Sequence, residues 1–108
     1  MKTHAFVMRR YGDESVLEWE EVELAAPGPG QVLIRHTAVG VNFADIYMRQ
    51  GGHTKLPLPA TLGLEGAGVI EVIGAGVSDF AVGDRIAYAG GDKPGSYCEH
   101  RLQAYVRG

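Results

Sequence analysis

The chain has 108 residues, 45% of them hydrophobic and 21% charged, and 10 Lys plus Arg against 13 Asp plus Glu leave a formal net charge of −3. That length supports one domain with a core of its own, and the balance is that of a folded protein rather than a disordered one. No Lys/Arg run offers itself to a phosphate backbone or an anionic membrane, and no apolar run is long enough to span a bilayer, so neither nucleic-acid binding nor membrane insertion is expected.

The first segment, Thr3 to Arg9, sets His4, Phe6 and Met8 against Thr3, Ala5 and Val7 and predicts a strand. The Met1 to Arg10 stretch is too short and too interrupted by charge for a signal peptide. Tyr11-Gly12-Asp13 turns the chain. Leu17 to Leu24 alternates again, with a bulge expected at Glu20-Glu21, and should pair back on the first strand. Pro27-Gly28-Pro29-Gly30 is a firm turn signal. Gln31 to Val41 is almost unbroken in apolar, β-branched character, as in a strand covered on both faces.

The period then changes. Phe43, Ile46, Tyr47 and Gln50 fall at helical spacing; Asn42 can N-cap, Asp45 stands three residues later, and Gly51-Gly52 can stop the helix. The helix is predicted over about 42–50. Pro57 and Pro59 hold an extended segment. Gly66 to Ile73, Asp84 to Tyr88 and Ser96 to Leu102 read as three further strands. Sixteen glycines, about twice ordinary usage, punctuate short apolar segments. The expected fold is mainly β: a small, strongly bent barrel with one short helix. The lone cysteine, Cys98, allows no intrachain disulfide, which suits a reducing, cytoplasmic setting.

Four stretches carry a family resemblance. Gly63-Leu64-Glu65-Gly66-Ala67-Gly68, five residues and then Gly74 are similar to the Gly-His-Glu-x-x-Gly-x5-Gly signature of medium-chain alcohol dehydrogenases. Val77 to Ile86 resembles the Gly-Asp turn that feeds a core strand there. Val39-Gly40-Val41-Asn42-Phe43-Ala44-Asp45-Ile46-Tyr47 resembles the family's helix start, and Gly95-Ser96-Tyr97-Cys98-Glu99 its Gly-x-Tyr-x-Glu strand. Their order and spacing cover nearly the whole chain. The resemblance implies a GroES-like fold. It makes residues 1–108 a portion of a catalytic domain whose partner, a Rossmann cofactor domain, is not in this chain.

Departures from the pattern select a branch. Zinc-dependent members place a metal-binding Cys where Asn42 stands and a metal-binding His where Leu64 stands, and only Ala89 to Gly95 occupies the place of their four-cysteine lobe. No metal site is therefore expected, since zinc needs about three Cys, His or carboxylate ligands. This looks like the zinc-independent quinone oxidoreductase, or zeta-crystallin-like, branch. The implied activity is reduction of a quinone or other conjugated carbonyl by NADPH or NADH. An electron-poor conjugated carbonyl can be reduced without a Lewis acid if it is held against the nicotinamide and its oxyanion is hydrogen-bonded. A free-standing GroES-like binding module and an enoyl-thioester reductase portion are the alternatives.

The resemblance assigns roles beside plainer ones. Asn42, otherwise a helix cap, would face nicotinamide and substrate as a catalytic and cofactor-binding amide. Tyr47, otherwise packed onto the barrel with Phe43 and Ile46, would contact cofactor and substrate. Asp45 is first a carboxylate favoured by the helix dipole and second a cofactor-side residue. Glu65 reads as a carboxylate hydrogen-bonded to backbone beneath the glycines, with a positioning role at the floor of the site as the alternative. His53 stands where many relatives have Tyr; it is a solvated loop residue or a proton donor. Cys98 and His100 are two ligands at most and make no metal site. Alone, the chain is expected to fold without catalysing. The face left bare toward the missing domain makes a homo-oligomer one expectation.

Overall fold

The computed structural model describes residues 1–52, 55–89 and 93–104. Six strands run in the order β1 (Lys2–Val7), β2 (Glu18–Glu23), β3 (Gln31–Val39), β4 (Glu65–Ile73), β5 (Arg85–Ala89) and β6 (His100–Ala104), with one helix, α1 (Phe43–Arg49), between β3 and β4. All pairings are antiparallel. β1 and β2 form a hairpin, and the other four form a sheet in the order β5-β4-β3-β6. An isolated bridge between Ala5 and Cys98 joins the two: the Phe6 N–H donates to the Tyr97 carbonyl at 2.9 Å and the Glu99 N–H to that of His4 at 2.9 Å. The result is one bent ribbon rather than two separate layers. Among the described residues its ladder does not close into a ring.

Local chemistry explains the bends. Opposite Leu33 and Ile34 the β4 partners skip from Val72 to Ile70, so Glu71 is the extra residue. Between His36 and Ala38 the extra residue is Thr37. Each bulge adds twist, and together they curl the long β3–β4 pair around the core. The inward side of β4 is Gly66, Gly68 and Ile70, all buried, so the strand lies against β3 with little side chain between.

Two apolar clusters form the interior. Val32, Ile34, Ile70 and Val77 fill the curl of the four-stranded sheet, with Phe80, Ile86 and Tyr88 against them. Met8, Val16 and Leu62 form the second, beneath the segments that flank α1, with Met48, Leu56 and Tyr97 at its edge. Three consecutive buried residues, Val32 to Ile34, confirm that β3 is covered on both faces at its start. Its later half opens to solvent.

Several expectations need correction. The β1–β2 register runs unbroken from Lys2 opposite Glu23 to Val7 opposite Glu18, so the Glu20-Glu21 bulge is absent; two consecutive glutamates interrupt the apolar alternation without shifting the ladder, Glu20 lying half-buried against Arg9 and Glu21 exposed. β6 begins at His100, not Ser96, because the Ser96 and Tyr97 N–H groups donate to Gly63 and Leu62, that of Cys98 to Ser96 and that of Glu99 to β1; contact with β3 starts only at the Glu99 carbonyl, which accepts the His36 N–H at 2.8 Å. Phe43 and Tyr47 do not pack the helix onto the sheet: they are 78% and 63% exposed. His53 lies outside the described residues.

Candidate functional site

β3 delivers the chain through Gly40 and Val41 to the start of α1. Asn42 is its N-cap, with extended backbone at φ −129° and ψ 157°. The capping is led by Asp45. Its Oδ2 accepts the Asn42 main-chain N–H at 2.9 Å, and its own N–H donates to the Asn42 carbonyl at 3.0 Å. The predicted start of the helix is thus confirmed, and so is its stop: Gly51 follows the last turn in the left-handed region at φ 78°.

What holds α1 in place is largely polar and located at its ends. At the first turn, the Tyr97 hydroxyl donates to Asp45 Oδ2 at 2.7 Å. At the last, the Gly12 N–H donates to the Arg49 carbonyl at 2.9 Å and the Arg49 Nε returns a bond to the Gly12 carbonyl at 3.1 Å. Only Met48 reaches the second apolar cluster. The opposite side, with Val41, Phe43 and Tyr47, faces outward. Asn42 and Asp45 are therefore joined by direct bonds, Tyr47 stands one turn on, and Asp45 is withdrawn at 2% exposure.

Beside this turn, an open groove of about 560 Å³ lies across the adjoining ends of β3, β4 and β5, lined by Ala38, Gly40, Glu65, Gly66, Tyr88 and Ala89 among others. Small residues dominate it, so it is shallow and apolar. Glu65 covers Gly40 so closely that a Cβ there would sit 2.1 Å from the carboxylate oxygen. Among the described residues the expected hydrogen bonds from backbone to this carboxylate are not made; the pair is hydrogen-bonded through main chain, Gly40 N–H to the Glu65 carbonyl at 3.0 Å.

Behind Gly66 runs a polar chain invisible in the sequence. His36 Nδ1 lies 2.8 Å from the Cys98 carbonyl, which can only accept, so Nδ1 carries the proton. The other nitrogen, Nε2, then accepts from the Tyr88 hydroxyl at 2.8 Å, and Arg101 donates to that oxygen at 3.4 Å with its guanidinium over the ring. Burial holds the His36 imidazole below its usual pKa of 6.5, opposed by the Cys98 carbonyl and aided by Arg101. Burial likewise raises the Tyr88 phenol and pushes the Cys98 thiol up to about 11, so Cys98 is a thiol, not a thiolate. Burial and the Asp45 hydrogen bond raise Tyr97.

The His36 chain has a consequence for stability. A histidine whose folded pKa is lowered is protonated first in the unfolded chain. Stability is therefore complete above about pH 6.5 and is lost as pH falls from there toward the lower folded value. Urea midpoints measured from pH 8 to pH 5 are expected to decline below about pH 6.5 in the wild type, and to decline less in His36→Gln. Equal declines in the two proteins would remove His36 as the cause.

Among the described residues, no three His, Cys, Asp or Glu side chains converge in a way that could hold a metal ion. Cys98 and His100 are separately engaged: the thiol donates to the Gly95 carbonyl at 3.2 Å, and His100 is paired with Thr3 and Glu71.

Comparison with known proteins agrees with this architecture. The alcohol dehydrogenase GroES-like domain family matches residues 28–106. A quinone oxidoreductase of Pseudomonas aeruginosa is 47% identical over 94 residues, covering 87% of this chain and 29% of that protein. A 2-haloacrylate reductase of a Burkholderia species is 46% identical over 85 residues, 76% of this chain and 26% of the reductase. The crystal structure of a quinone oxidoreductase from Pseudomonas syringae pv. Tomato DC3000 superposes with a TM-score of 0.86 at 41% identity, over 94% of this chain and 31% of that one. The chain thus spans less than a third of the length of each of these relatives. On the extent of the family match and the fold it shares with them, this chain belongs to the alcohol dehydrogenase GroES-like domain family.

Proposed function

We propose that the chain is the substrate-facing portion of an oxidoreductase that reduces a quinone or a related conjugated carbonyl with NADPH or NADH, without zinc, in the cytoplasm. The observation that carries this is the start of α1. There the N-cap Asn42, its main chain held by Asp45, adjoins two outward aromatic rings, Phe43 and Tyr47, both largely exposed among the described residues. An apolar platform beside an amide suits a flat ring bearing a carboxamide, so these residues fit the nicotinamide end of such a cofactor. When bound, that cofactor supplies the hydride.

The chain's own part is to hold and to polarise. Asn42 offers an amide N–H to a developing oxyanion and a carbonyl to the carboxamide of the ring. Tyr47 borders the ring and extends a hydroxyl. Asp45, buried and bonded to the Asn42 main chain, serves the cofactor side through Asn42 rather than by contact. The exposed side of α1 is proposed to meet a cofactor-binding domain outside this chain, and self-association is the alternative use of the same surface. Zinc does not fit the donor set. Leu64 has no donor atom, the Asn42 amide is a poor ligand, and the described residues bring no third group. The quinone oxidoreductase and 2-haloacrylate reductase relatives support the substrate class, since a quinone and an acrylate are both conjugated carbonyl compounds.

Fusion of the chain to the cofactor domain of the Pseudomonas aeruginosa relative is expected to reduce a benzoquinone with NADPH. Asn42→Ala should lower kcat by about 100-fold, the scale of one lost oxyanion donor. The chain alone should bind NADPH no tighter than about 1 mM. The few hydrogen bonds available contribute about 1 kcal/mol each, against an association cost of at least several. Calorimetry and steady-state kinetics decide both. Micromolar binding by the chain alone, or turnover indifferent to Asn42→Ala, would contradict the proposal.

A further inference from the structure

Tyr97 is not among the residues that the sequence nominates. Yet its hydroxyl and the Asn42 main-chain N–H converge on one atom, Asp45 Oδ2, at 2.7 and 2.9 Å. Asp45 is 2% exposed, and its other oxygen has no hydrogen-bond partner among the described residues. Everything that satisfies this buried carboxylate therefore passes through the oxygen shared by Asn42 and Tyr97. Burying a carboxylate is costly unless it is well bonded, so each of the two donors is essential to where that oxygen sits.

Tyr97 is well placed to decide the position. Its N–H donates to the Leu62 carbonyl at 2.9 Å and its carbonyl accepts the Phe6 N–H at 2.9 Å, so its main chain is pinned to β1 on one side and to the Leu62 segment on the other. Its ring lies against the second apolar cluster. The phenol is thus a strut from the rigid part of the domain to a helix start 52 residues away in the chain. The helix needs such a strut, because Phe43 and Tyr47 do not seat it.

We infer that Tyr97 is a positioning residue for Asn42, acting through Asp45, and so sets the geometry with which the Asn42 amide meets the reacting carbonyl. The inference rests on the function proposed above for Asn42. Removing the hydroxyl leaves Asp45 Oδ2 with one donor. The carboxylate then turns toward water and draws the Asn42 N–H with it.

The test is Tyr97→Phe with two readouts. By NMR on this chain, exchange of the Asn42 amide proton should quicken by about tenfold, the worth of one charge-assisted hydrogen bond. In the fusion to a cofactor domain, kcat should fall by about tenfold with KM for the quinone little changed. Tyr11→Phe is the control for a purely structural loss. The Tyr11 hydroxyl donates to the Leu56 carbonyl at 2.5 Å in the same apolar cluster, and its removal should leave the Asn42 amide and kcat unmoved. Should Tyr97→Phe fail to fold, 3-fluorotyrosine at residue 97 keeps the shape and strengthens the donor; competition on Oδ2 should then shift the Asn42 amide proton upfield. An Asn42 amide unmoved in both Tyr97 variants overturns the inference. A wild-type fusion that reduces no quinone overturns the function instead, and the amide measurements still decide the role of Tyr97.

Discussion

Gly68→Ala is expected to destabilise the domain by about 3 kcal/mol or more, lowering its melting temperature by about 12–24 °C. A Cβ at Gly68 would stand 2.2 Å from the Arg35 carbonyl oxygen and 2.9 Å from Ile34 Cγ2. The first of these is main chain in the middle of β3, and it cannot yield without opening the β3–β4 ladder next to the Thr37 bulge. Gly76→Ala is the matched comparison. Nothing lies within 4 Å of its Cβ position, and only the left-handed backbone, φ +81°, opposes a side chain. That cost is about 1 kcal/mol. Thermal melts followed by circular dichroism distinguish them; similar losses for the two variants would mean that crowding at Gly68 is not what makes it glycine.

The second large effect belongs to Ile34. It is 0% exposed and lies opposite Ile70, also fully buried, with Val32 and Val77 completing the cluster. Ile34→Ala removes buried carbon from a site whose neighbours are strand residues with little freedom to collapse, so a loss of about 3–4 kcal/mol is expected. Urea unfolding should show a lower midpoint at an unchanged slope. Val41→Ala, at a position 74% exposed, should stay within about 0.5 kcal/mol of wild type. Since small domains are stable by only about 5–15 kcal/mol, either of the two core changes removes a large share of the total.

The difference between Ile34 and Val41 also shows where sequence reading succeeds. Hydrophobic character alone made Gln31 to Val41 one covered strand. Burial holds for Val32 to Ile34 and ends before Val39, because the ribbon curls away and only one part of β3 has partners on both faces. Helix α1 was legible to within a residue, since Asn42, Asp45 and Gly51 encode its ends locally. Its orientation was not. Apolar spacing at Phe43, Ile46 and Tyr47 predicts an inward face, whereas polar bonds to Gly12 and Tyr97 determine which side turns out.

Of the candidate site, the sequence could nominate residues within one short stretch, and it gave no sign of long-range hydrogen-bond partners. Asn42, Asp45 and Tyr47 fall within six residues and carry a family pattern. The His36–Tyr88–Arg101 chain spans three strands, and each member alone looks like an ordinary β residue. Tyr97 was visible only as part of a motif. No local signal connects its hydroxyl to a carboxylate 52 residues away in the chain.

Attachment of α1 by its ends has an evolutionary consequence. Where a side chain both packs the core and touches a ligand, a change in specificity must also survive its effect on folding. Phe43 and Tyr47 carry no such double duty, because the helix would remain tethered whatever stood there. Those two positions can be redesigned, and the change in what the exposed side of α1 binds read directly, while the rest of the domain stays as it is. A domain with this division can serve many reactions through few substitutions, and its relatives can differ in chemistry without differing in fold.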